Sequence, residues 1–134
     1  YLVTAKPEAG KKSLYEYWNG DKKKFDKMED KAVDNYTEYC SVVLEQYFSA
    51  IKEQLQEYWN EESKLLSVIS INGFIIAFTR QLSVNGVQDR AFYSNIFKDW
   101  KIDFSKDEFP YTSSQYRKFS TKILKEAFQI DQAI

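Results

Sequence analysis

Residues 65–82 read "LLSVISINGFIIAFTRQL" and form the most apolar stretch of the chain. Ser67, Ser70, Asn72 and Gly73 interrupt it. Whether it is a membrane span, a buried helix or a ligand contact decides how the rest of the chain folds. A spanning helix needs about 20 mainly apolar residues. Lys64 and Arg80 bracket a shorter run, and that run carries polar side chains. The stretch therefore predicts a central core helix over residues 68–84. Ser67 or Ser70 caps its start, and Asn85-Gly86 supplies a left-handed exit. Ile71, Phe74, Ile75, Phe78 and Leu82 share one helical face and form the expected buried stripe. Gly73 costs about 1 kcal/mol against alanine inside a helix. It has two readings: close packing against a long neighbouring helix, or contact with a ligand.

Upstream, residues 26–62 predict that neighbour. Val33, Tyr36, Cys40, Val43, Tyr47, Ile51, Leu55 and Tyr58 recur at steps of three or four, with no glycine or proline between them. Such a length favours a break near Lys31 or Asn35. Residues 1–25 contain Pro7, Gly10 and Gly20 and no stable period, so they read as a tail or linker from an upstream domain, with at most a short helix at 14–18. Residues 26–134 form the expected helical domain. Downstream, Asp89 caps a short helix with Phe92, Ile96 and Trp100 inward. Ser105 and Glu108, and again Thr112 and Gln115, have capping-box spacing, and Tyr111 and Tyr116 stand at hydrophobic-staple positions. In the last helix Tyr116, Phe119, Ile123, Leu124, Ala127 and Phe128 face inward. The expected fold is all-α, a small helical bundle with one long amphipathic helix, a central apolar helix and a basic C-terminal helix.

The 134 residues suit one domain with a real core. Only four glycines and two prolines accompany 17% aromatic residues, which favours helices over a many-stranded sheet. The chain opens on Tyr1 and holds its single methionine at 28. An initiating methionine is removed only before small residues, so a fragment of a longer parent is expected. One cysteine, Cys40, allows no internal disulfide and fits a reducing, cytoplasmic setting. Histidine is absent, which excludes Ser-His-Asp and Cys-His catalysis and every imidazole zinc site. The four glycines are too dispersed to cradle a phosphate. No enzyme activity and no cofactor are expected of these residues.

Charge separates along the chain. Residues 26–62 hold ten acids against three lysines, and residues 111–128 hold Arg117, Lys118, Lys122 and Lys125 against Glu126. Lys118, Lys122 and Lys125 share a helical face that Arg117 flanks. Such a stripe suits phosphates, because lysine and arginine displace condensed counterions from nucleic acid. The alternative is a solvated face lying near the acidic helix. A second candidate is "KKSLYEYWNGDKKKFDK", residues 11–27, where Tyr15, Tyr17, Trp18 and Phe25 are interleaved with lysines. Single-stranded nucleic acid binds such aromatics by stacking. Against it, residues 1–30 carry seven lysines and six acids, leaving almost no net field. Asp103, Asp107 and Glu108 lack the ligand pattern of a calcium loop and read as caps. Cys40 stands on the inward stripe beside acids, a setting that raises a thiol pKa and leaves it inert.

The run "VLEQYFSAIKEQLQEYWNEESKLLSVISINGFIIAFTRQL" (43–82), followed by "YSNIFKDWKIDFSKDEFPYTSSQYRKF" (93–119), resembles the C-terminal region of DGQHR-domain proteins. The similar features are Tyr47-Phe48 and Ile51 before Tyr58-Trp59, then Asn72-Gly73-Phe74 opening an apolar helix. Ile102-Asp103-Phe104-Ser105 and the Ser113-Ser114 helix start complete them. The resemblance spans residues 40–128. These bacterial proteins are named for an Asp-Gly-Gln-His-Arg motif and are related to the ParB-like nuclease fold. The motif is absent from this chain, so no catalytic residue carries over. The resemblance implies a DNA-associated parent, in the range of DNA sulfur modification, its regulation or defence. These residues would then be the helical companion of an upstream domain. Expected partners are DNA and that upstream domain, with no membrane. The alternative is a helical protein–protein interaction or homo-oligomerisation domain with no nucleic-acid role.

Overall fold

The computed structural model describes residues 13–112 and 114–130. Among them are six α-helices and no strand: α1 Leu14–Tyr17, α2 Lys22–Asp26, α3 Asp30–Gln54, α4 Val68–Asn85, α5 Arg90–Phe97 and α6 Tyr116–Glu126. The all-α bundle is thus as the periodicity predicts. No helix among the described residues is long and apolar enough to cross a membrane.

The central helix begins where two serines share one carbonyl. Ser67 and Ser70 each donate to the Lys64 carbonyl oxygen at 2.5 Å, and Ser67 Oγ accepts from the Ser70 amide. Gly86, at φ 67°, returns its amide to the Leu82 carbonyl and ends the helix. The buried face of α4 is rotated from the predicted stripe. Ile69, Ser70, Gly73, Phe74, Ala77, Phe78, Gln81 and Leu82 are buried, whereas Ile71 and Ile75 are only half-buried. Polar burial is tolerated because both groups are satisfied: Ser70 at Lys64, and Gln81 as donor to the Tyr93 hydroxyl and acceptor from Asn85, each at 3.2 Å.

Gly73 does pack closely, but against α6 rather than the long helix. A Cβ there would stand 2.4 Å from Phe119 Cδ2. The α4–α6 pair thereby forms one half of the bundle, and α3 with α5 forms the other. The halves are joined by rings. Phe74 has Phe97, Trp100, Phe104 and Phe119 within 5.5–6.3 Å between centroids, while Tyr47 of α3 meets Phe78 at 4.9 Å and Tyr93 at 5.1 Å. Most of these contacts are tilted or edge-on, the geometry that ring quadrupoles favour.

Helix α3 is one unbroken helix across Asn35. The expected interruption falls at residues 27–29, where Met28 has φ 59°, and the far end closes in a 3-10 turn at Gln56–Tyr58. A tail over 1–25 does not describe residues 13–25. Leu14 is fully buried and Trp18 nearly so. Tyr15, Trp18 and Phe25 surround Tyr36 of α3 at 4.9–5.7 Å. Trp18 Nε1 donates to Asn35 and the Tyr17 hydroxyl to the Leu82 carbonyl. Residues 13–29 therefore form a clasp over α3 and the end of α4. Pro7 and Gly10 lie outside the described residues.

Two further registers differ from expectation. Asp89 caps α5 as predicted, accepting from the Phe92 amide at 3.0 Å. Yet Tyr93, Phe97 and Trp100 are the buried residues, with Phe92 and Ile96 half-buried. Arg90 explains the rotation: its amide bonds Gln46 and its guanidinium bonds Glu53, pinning this face of α5 to α3. Ser105 and Glu108 begin only a single turn. Pro110 disfavours helical geometry at Phe109, so no helix propagates. Phe104 and Phe109 are buried instead, and Ser63 and Ser105 make an isolated antiparallel bridge.

Candidate nucleic-acid interface

Helix α6 starts through half of the expected box: Gln115 Oε1 accepts from the Thr112 amide at 3.0 Å, while the reciprocal bond is not made. Ser113 lies outside the described residues. The staple is also re-paired, since Tyr111 packs on Phe119 at 5.4 Å. Phe119, Ser120, Ile123 and Leu124 are buried, and Tyr116 is half-buried. The opposite side of the helix carries the cations.

Arg117, Lys118 and Lys125 are exposed, and Lys122 is half-buried. Lys118, Lys122 and Lys125 rise about 10 Å along one face. They are not equivalent. Lys122 Nζ lies 2.7 Å from Glu126 Oε2, one turn on. That hydrogen-bonded carboxylate holds the lysine ammonium above its usual pKa. The Arg117 guanidinium sits 5.8 Å from the Tyr116 ring centroid. Lys118 and Lys125 have no ion-pair partner among the described residues. Pairing of this face with the acidic long helix is not observed: α6 packs on α4, and no ion pair joins it to α3. Sequence reasoning missed the role of Glu126, although its i, i+4 spacing from Lys122 was the available signal. The same carboxylate also accepts from Trp100 Nε1 at 3.3 Å.

The other sequence candidates are otherwise occupied. Tyr15, Trp18 and Phe25 spend their rings on Tyr36 and on one another, so they offer no open stacking platform. Asp103 accepts from the Ser105 amide at 2.8 Å, which lowers its pKa. Among the described residues no three His, Cys, Asp or Glu side chains group to hold a metal ion. Cys40 is buried against Tyr36, and burial pushes its thiol pKa up.

Compared with known proteins, the chain matches no family model, no curated protein and no solved structure.

Proposed function

We propose that this domain is a non-catalytic helical module of a DNA-associated bacterial protein, holding duplex phosphates on the basic face of α6. The observation that carries the reading is the exposed set Arg117, Lys118 and Lys125 on a helix whose far side is keyed into the core. Among the described residues, no ion pair joins the acidic α3 to these cations. Lys122 joins the contact when phosphate replaces Glu126 as its partner. Lysine–phosphate contacts position a protein without reading bases, so the domain supplies grip rather than sequence choice. The resemblance to DGQHR-domain proteins points the same way, toward a cytoplasmic parent in DNA modification or defence. Fluorescence anisotropy on a duplex across a salt series tests it. Binding should weaken steeply with salt, and each lysine removed should shallow the log–log slope by about 0.9. An unchanged slope in the Lys118→Ala/Lys122→Ala/Lys125→Ala triple variant ends the assignment.

A second reading, a protein–protein or homo-oligomerisation domain, draws on Val42, Val68 and Val84, which are more than half exposed on α3 and α4. Sedimentation at rising concentration separates the two. A stable dimer indifferent to DNA favours the second.

A further inference from the structure

We infer that the outer face of α4 is a self-association surface, which pairs with the same face of a second copy of this chain. Val68, Asn72, Ile75 and Thr79 recur along α4 at alternating steps of four and three. That spacing sets them in one line, in the alternation of the two seam positions of a coiled coil. The line lies on the side of the helix turned away from its buried residues. Val68 is 76% exposed and Asn72 is exposed, while Ile75 and Thr79 are half-buried.

Charge decides what such a face can meet. Arg80 is the one charged residue between Lys64 and Asp89, and it stands about 100° round the helix from Thr79. A two-fold contact sets a patch against its own copy, so a face carrying one sign of charge is repelled by itself. The outer face of α3 exposes Asp34, Glu38 and Glu45, and that of α6 exposes Arg117, Lys118 and Lys125. Neither suits self-pairing. The α4 line is neutral, and it offers no cation to a phosphate. Asn72 adds self-recognition. Its amide both donates and accepts, and it makes no hydrogen bond among the described residues. A lone asparagine on a helical seam fixes register by meeting its own copy. The Thr79 hydroxyl is already spent on the Ile76 carbonyl at 2.8 Å, which leaves its methyl for the contact.

The inference rests on the oligomerisation reading above and names its surface. Three turns of one helix make a contact well below the ~800 Å² per partner of stable complexes, so the dimer should be weak. Sedimentation equilibrium of the whole chain without DNA, from about 10 μM to about 1 mM, should show monomer and dimer in exchange. Asn72→Asp sets two carboxylates across the axis and should weaken the dimer at least about tenfold. Asn72 is exposed, so the urea midpoint of that variant should hold. Val42→Asp, on the outer side of α3, should leave the dimer intact. A dimer that survives Asn72→Asp keeps the oligomerisation reading and overturns this surface. A monomer at every concentration overturns both.

Discussion

Tyr47 of α3 donates its hydroxyl hydrogen to the backbone carbonyl of Phe74 in α4, across 2.8 Å of the fully buried interior. Phe74 lies mid-helix, so its carbonyl also serves the helix's own i→i−4 ladder. The bond ties the two halves of the bundle at their centre.

Tyr47→Phe keeps the ring and removes only the hydroxyl. Because the Phe74 carbonyl retains its helical partner, the expected loss is about 0.5–1.5 kcal/mol. Tyr47→Ala leaves a cavity among Phe78, Tyr93 and Phe97 and should cost about 3–5 kcal/mol. Urea unfolding measures both. Equal losses would mean that the hydroxyl, and not the ring, carries the contact.

Gly73→Ala sets propensity against packing. Helix propensity favours alanine by about 1 kcal/mol, but the new methyl would meet the Phe119 ring at 2.4 Å. Overpacking of a tight core costs about 1–3 kcal/mol. The variant should therefore melt lower, and Phe119→Leu in the same chain should recover part of the loss. A Gly73→Ala protein that melts higher than the parent would show that Phe119 moves aside freely.

Trp18→Ala tests whether residues 13–29 belong to the folded body. The indole is nearly buried, packs on Phe25 and Tyr36, and donates to Asn35. A loss of about 3–5 kcal/mol is expected on chemical unfolding. An unchanged midpoint would return this segment to the status of a tail.

Glu126→Gln removes the carboxylate that occupies Lys122. DNA affinity should rise at low salt, and the salt slope should steepen by up to about 0.9. The pair is partly exposed, so stability should change by only about 0–1 kcal/mol. Unaltered DNA binding would place Lys122 outside the contact.

Alkaline pH should unfold the domain. Burial raises the pKa values of Tyr36, Tyr47 and Tyr93 above the ordinary value of 10.0. Below that value both states keep their phenolic protons and stability is untouched. Above it the unfolded chain ionises first, so the folded state binds more protons and stability falls as pH rises. Each such tyrosine removes about 1.4 kcal/mol per pH unit. Denaturant midpoints should be flat up to about pH 9.5 and drop steeply beyond. A flat profile through pH 11, about one unit above the ordinary value, would show that these hydroxyls reach water.

The bundle was legible because helix signals are local. Ser67, Asp89 and Gly86 each act within four residues, and they end or begin helices where the sequence places them. Rotation of a helix about its axis was less legible. Counting apolar residues turned Ile71 and Ile75 inward, yet they are only half-buried while Ser70 and Gln81 are buried, since the Lys64 carbonyl and the Tyr93 hydroxyl satisfy them. The clasp escaped for a related reason: one short turn from Leu14 to Trp18 is too brief a pattern to announce burial, and Trp18 finds its place only against Tyr36 and Asn35 of α3. Of the candidate site, the lysine face was readable and the occupied state of Lys122 was overlooked.

Gly73 and Phe119 also decide where charge points. Phe119 can enter α4 only at the residue that lacks a side chain, so the seat works as a keyway that admits α6 at one rotation. Arg117 and Lys118 immediately precede Phe119 in the chain and must swing outward when it swings in. The compass bearing of the basic face is set by a methyl group that is missing on the hidden side of a different helix.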